Sequence, residues 1–317
     1  MPPRRTILRA TGWTVWAAAT GTGLSACRIR LEDDTPAIPI LRRTPIPDEA
    51  VFVAAYRRAL ALADAGTRAA GVPFAAEVTR RHTRQAQVLR ALLDAGNVPE
   101  NVMRGAVPTA TSGPSASSST STATGAPAVT AQELRALTQA AATESIAAVT
   151  AFAEHLSLAV ALAAHDAAGA AATGAAVAWP TGGRVPAGVV APLLEPTRAC
   201  VYALAVAAAH LPDSDRASAL ATVSDLNRRE RALVADLPAP PPPLGFRLPF
   251  AVTDAQTAAR LITLVLANLV DRGLDTVESI PPGSAELVEI ARLQAEAVGL
   301  AVRHGVPWPT MPGLTLE

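Results

Sequence analysis

Apolar residues recur at helical spacing along nearly the whole chain, and nowhere do β-branched residues alternate in a run that would build a strand. That periodicity restricts the chain to an all-α fold. Of its 317 residues half are hydrophobic but only 3% are aromatic. Alanine faces must therefore carry much of the packing, and they let helices approach closely.

Asp48 is placed to cap a first helix with the stripe Val51, Ala55, Ala59, Leu62, ended by Gly71 and Pro73. A second stripe, Phe74, Val78, His82, Gln85, Leu89, Leu92, stops at Gly96, Asn97 and Pro99. Residues 106–129 are Ser, Thr, Pro, Gly and Ala, too poor in apolar surface to fold, and are expected to be a disordered loop. A capping box at Thr130 and Glu133 reopens a helical pattern through Leu134, Ile146, Phe152 and Val160. Unbroken to Ala172 it would be about 65 Å long at ~1.5 Å per residue, so a kink or break is expected. Trp179, Pro180, Gly182, Gly183 and Pro186 mark a connector over 179–191.

Four helical segments follow, about Pro192–Leu211, Asp213–Leu237, Asp254–Ile280 and Ser284–His304. Stripes such as Leu220, Val223, Asn227 and Leu261, Val265, Leu269 suit antiparallel neighbours in a bundle. Pro238–Pro243 reads as a stiff spacer, and Thr253 with Gln256 as a second capping box. The expected organisation is a leader over 1–27, a tether over 28–46, a helical region over 47–178, the connector, and a four-helix bundle over 192–309.

The leader has its own chemistry. Arg4 and Arg5, followed by Ile7, Leu8 and Arg9, resemble a twin-arginine export signal, and the weakly apolar run to Ala26 suits that route. Leu24, Ser25, Ala26 and Cys27 close it with the pattern of a lipoprotein-processing site: two small side chains, then a thiol to acylate. Each buried methylene contributes about 0.8 kcal/mol, so two or three chains such as palmitate anchor durably. The expectation is a lipid-anchored protein on the extracytoplasmic face of the cell membrane. With Cys27 acylated, Cys200 has no partner for an intramolecular disulfide and is expected to be a small buried side chain.

Charge and residue types exclude several functions. The formal net charge is +0, without the basic surplus of nucleic-acid binders. All 27 cationic residues are arginine; without lysine there is no phosphate-binding loop, Schiff base or Ser-Lys dyad. Nor is there a Gly-x-Ser-x-Gly elbow, a His-Glu-x-x-His or a Cys-x-x-Cys. No catalytic residue is expected.

The stretches RACVYALAVAAAHLP, LNRRERALVADL and LGFRLPFAVTDAQTAARLITLV resemble the actinobacterial ferritin-like lipoprotein family, over roughly Pro192 to Pro309. The resemblance implies a lipobox leader, a helical N-terminal half and a ferritin-like four-helix bundle. It implies no metal site. Thr197 and Arg198 stand where the family commonly has a Glu-His pair, and Asn227 where it often has a histidine. A di-iron bundle needs Glu-x-x-His on two helices, and this chain has none.

The remaining metal-ligand candidates are weak: Glu77, His82 and Gln85 on the second helix, with Glu154, His155, His165 and Asp166 on the long one. Glu154 and His165 share a face but lie about 16 Å apart along an ideal axis, too far for one ion. His82, on the apolar stripe, is expected to be a hydrogen-bonded core residue, and the other pairs to face solvent. The functional expectation is an exported, membrane-anchored, non-catalytic envelope scaffold or partner-binding protein, without cofactor or nucleic acid. The alternatives are a carrier of a small apolar ligand and a divergent metal-binding or oxidase bundle.

Overall fold

A computed structural model of the chain describes residues 43–105, 127–180, 183–234, 241 and 243–314. The leader, the tether through residue 42, residues 106–126 of the Ser/Thr-rich loop and most of the Pro238–Pro243 spacer lie outside the described residues. Among the described residues the fold is all-α: α1 Glu49–Arg68, α2 Ala75–Ala95, α3 Glu100–Arg104, α4 Ala131–Ala148, α5 Leu156–Ala172, α6 Ala187–Ala208, α7 Asp213–Val234, α8 Ala255–Arg272 and α9 Ala285–Arg303. From Pro45 onward they form one compact unit.

α1 and α2 form a hairpin turned through Ala69–Phe74, where Gly71 takes a φ of 90°. Close approach of the two helices depends on Gly66, since a Cβ there would sit 2.6 Å from Thr79 Oγ1. The break expected in the long second pattern is real: α4 ends in a 3-10 turn at Val149–Ala151, and α5 folds back along it. Thr138 and Thr173 hydroxyls meet at 2.9 Å, joining the start of α4 to the end of α5. The Thr130–Glu133 capping box forms at the N-terminus of α4.

Asp48 does something other than the expected cap. Its side chain makes no bond to α1, and its backbone is left-handed at φ 58°. Its carboxylate instead accepts the backbone N–H groups of Ala153, Glu154 and His155 at 2.8, 3.2 and 3.1 Å, and His155 Nδ1 at 3.0 Å. Burial alone would raise its pKa, but these donors hold it below the ordinary carboxylate range. A charged group at 48 thus gathers the exposed N–H groups of the α4–α5 break, which a water-filled turn would otherwise leave to solvent.

In the second half, α6 begins at Ala187, five residues before the expected start at Pro192, and runs through Pro192 and Pro196. Val189 and Val190, both buried, belong to that added turn and a half, and their burial offsets the helix bonds the prolines delete. By length and composition α6 could cross a membrane. Here it packs against α7 and α8. α8 is shorter than expected, ending at Arg272 before Gly273, where a Cβ would collide with the Gln294 side chain that donates to the Val270 carbonyl at 2.8 Å. Its capping box is Asp254 with Thr257, not Thr253 with Gln256. α7 buries Ala219, Thr222, Leu226, Arg229 and Leu233, leaving Leu220 exposed, so the expected Leu220–Val223–Asn227 stripe is displaced by one position. Small residues and an arginine stem make that contact, which a reading weighted to large apolar side chains misses.

Two large buried clusters result, with a smaller third around Ala65, Val78 and Leu134. α1, α2, α4 and α5 surround one, which α6 and α9 extend. α6, α7, α8 and α9 surround the other, around Leu204, Leu226, Leu261, Leu266 and Leu269. α5 and α9 pack together and join them. Cys200 is buried in the second cluster, its thiol pushed up to about 12 by desolvation and therefore unreactive.

Candidate functional site: a buried polar cluster around Asp166

The heart of the N-terminal half is polar. α5 is buried nearly all round, which is why its sequence is apolar on every face. Its two ionisable residues, His165 and Asp166, are buried too, contrary to the expectation that they face solvent. One Asp166 oxygen accepts Arg58 Nε from α1 at 3.3 Å and the Ser145 hydroxyl from α4. The other accepts Gln85 Nε2 from α2 at 3.4 Å. One carboxylate therefore ties α5 to three other helices. Burial alone would raise its pKa; Arg58, the two nearby imidazoles and Ser145 outweigh that and hold it below the ordinary value.

Because Gln85 turns its amide nitrogen to Asp166, its oxygen faces His82, and His82 Nδ1–H donates to it at 2.8 Å. His82 is thus the hydrogen-bonded core residue expected. His165 Nδ1–H donates to the Pro309 carbonyl at 3.2 Å, which places the lone pair on Nε2, a buried atom without a hydrogen-bond partner among the described residues. The two imidazoles meet edge to face, with ring centroids 5.3 Å apart. Desolvation, the first cause in each case, pulls His82 down to about 4 and His165 down to about 3, so both are neutral at pH 7. Arg81 completes the cluster, its guanidinium lying 4.0 Å from the centroid of the Trp308 ring. Gly169 makes room for it, since a Cβ there would fall 2.6 Å from Arg81 Nη2.

His82, His165 and Asp166 could offer one ligand atom each within 4.8 Å of one another. Of the candidates read from the sequence, only His82, Gln85, His165 and Asp166 come together. Glu77 pairs with Arg80 on its own helix, Glu154 is exposed, and His155 serves Asp48. The surroundings suit a cation poorly: Asp166 already has three donors, and Arg58 and Arg81 bring two positive charges against its one negative charge. A divalent ion would have to displace Arg58 and sit beside Arg81, where repulsion opposes it. The chemistry these residues do support is a buried hydrogen-bond network with neutral histidines, at whose edge His165 Nε2 and Arg81 Nε and Nη2 keep no hydrogen-bond partner among the described residues.

Sequence reasoning named His165 and Asp166 but missed Arg58, Arg81, Ser145 and Trp308. One signal was available: Arg81 falls on the buried side of α2 beside His82 and Gln85, three polar residues within one turn and a half of an otherwise apolar face. Compared with protein-family models, curated proteins and solved structures, the chain matches none.

Proposed function

We propose that this chain is exported, acylated at Cys27 and held at the outer face of the cytoplasmic membrane, where its helical body serves as a non-catalytic scaffold for another envelope protein. The observation that carries this reading is Leu24-Ser25-Ala26-Cys27 closing a leader headed by Arg4 and Arg5. The buried cluster supports its second half. A general base needs a pKa near the working pH and access to a substrate, whereas His82 and His165 are buried, neutral and far below that range.

We take α6–α9 as a ferritin-like bundle that has lost its ligands. At the place of the family's Glu-His pair, Thr197 bonds the Leu193 carbonyl at 2.8 Å and Arg198 Nε pairs with Glu230 at 2.7 Å. The first bond closes within α6 and the second ties α6 to α7.

Replacing Cys27 with alanine tests the address. The Cys27→Ala protein is expected to lose its acyl chains, by mass spectrometry, and to leave the detergent-extractable membrane fraction; unchanged retention would end the lipoprotein reading. In-cell cross-linking of the full chain should recover one specific envelope protein, and recovery of none would remove the scaffold role. Stoichiometric iron or manganese in the purified protein would favour the oxidase alternative instead.

A further inference from the structure

Where α5, α7 and α9 meet, a cleft of about 290 Å³ opens between the two clusters. Small side chains of α5 and α9 shape it, and Trp179 forms one wall. Six charged residues line it: Asp225, Arg228, Arg229, Arg292, Glu296 and Arg303. Five are paired within the wall. Arg228 and Arg303 donate to Asp225 at 2.9 and 3.1 Å, and Arg292 donates to Glu296.

Arg229 differs from the rest. It is 5% exposed, its Nη1 donates to the Leu293 carbonyl, and its Nε is buried with no hydrogen-bond partner among the described residues. Desolvation pulls the guanidinium down to about 10, which still leaves it charged at neutral pH. A guanidinium buried without a carboxylate bonded to it is costly to fold around, and here it lines an open space. That space extends to Gly299, where an added Cβ would meet no atom within 4 Å. The cleft therefore combines a fixed cation to which no carboxylate is bonded, an aromatic wall and unfilled volume beside a glycine.

We propose that this cleft binds a small organic monocarboxylate, its head group paired with Arg229 and its apolar body lying on Trp179 and the α5 alanines. Charge selects the class. Four arginines line the cleft against Asp225 and Glu296, and Glu289 is bonded to Arg292 from beside it, which leaves a surplus of one positive charge and favours an anion. Glu296 and Asp225 stand close by Arg229, so a doubly charged phosphate would meet repulsion that a monocarboxylate avoids. The apolar wall favours a ligand with a hydrocarbon or aromatic body over a bare ion.

The test is calorimetric titration of the full chain with hexanoate and, in parallel, with 1-hexanol and inorganic phosphate. Hexanoate is expected to bind saturably, and hexanol at least about tenfold more weakly, the factor that ~1.4 kcal/mol of charge-assisted hydrogen bonding supplies. Gly299→Leu fills the cleft in space that is open, and is expected to keep the thermal midpoint while abolishing hexanoate binding. Arg229→Met is expected to bind hexanoate no better than hexanol, and to unfold at a midpoint no lower than that of the parent. Equal affinity for hexanol and hexanoate would overturn the carboxylate assignment, as would tighter binding of phosphate. Absence of any binding, or full binding retained by Gly299→Leu, would overturn the cleft as a site. Should Arg229→Met fail to fold, Gly299→Leu decides the outcome alone.

Discussion

The two four-helix halves of this protein differ in what their centres hold. α1, α2, α4 and α5 close around a carboxylate, two imidazoles and two guanidinium groups, whereas α6–α9 close around leucine, alanine and valine. Hydrophobic packing is non-directional, while the Asp166 network accepts only the arrangement that brings Arg58, Gln85 and Ser145 to one carboxylate. Both halves thus rest on buried apolar area, and the first adds a polar network that demands one geometry. Polar groups packed so deeply destabilise a fold sharply when one partner is lost, and contribute little surplus when all are present.

Four changes sharpen or break that contrast. The largest effect is expected from Leu226→Asp, which sets an unpaired charge in the fully buried centre of the apolar half and should cost about 5 kcal/mol in denaturant unfolding. Near-parental stability would mean that the α7 face does not meet the core. Asp166→Asn keeps the shape of the side chain but removes its charge, leaving Arg81 uncompensated and Arg58 with only the exposed Glu144; the expected loss is about 3 kcal/mol. If it costs less than a surface substitution, the polar half is not held by charge.

Acid should act on the polar half. In the unfolded chain an imidazole titrates near 6.5, but folded His82 and His165 titrate at about 4 and about 3. Between those values the unfolded chain binds protons that the native one refuses. Stability is therefore full above pH 6.5 and falls as the pH drops, by up to about 2.7 kcal/mol per pH unit, ~1.4 from each histidine. Unfolding curves taken across that window for the parent and for His165→Gln measure it; a variant with the parent's slope would remove His165 from the account. The smallest effects are expected at the caps, one in each half, where Thr130→Ala and Asp254→Ala should each cost about 1 kcal/mol. Similar losses would show that the halves share local rules and differ only in their cores.

Much of this architecture is legible in the sequence. The helical character and the Thr130 capping box follow from neighbours three or four residues apart, which the chain fixes locally, and the length of the pattern from Thr130 to Ala172 calls for a break without saying that it falls at Val149–Ala151. So does the placing of His82 on a buried face. The misreadings share a cause. Asp48 has the residue type and position of an N-cap, yet its carboxylate reaches N–H groups more than a hundred residues on. Leu220 looks like a core residue, yet the docking surface of α7 is its smaller neighbours Ala219 and Thr222. His165 and Asp166 look like a solvated pair until α1, α2, α4 and the segment at Pro309 close over them.

Periodicity, caps and breakers are properties of a few consecutive residues, and with them the sequence by itself determined an all-helical protein and most of its helices. Tertiary structure alone decided which charges meet. Gln85 and Asp166 lie 81 residues apart, and Arg58 and Asp166 lie 108 apart. No local spacing encodes such a pairing. It exists because burying the apolar faces of α1, α2, α4 and α5 leaves one place where their polar side chains can satisfy each other.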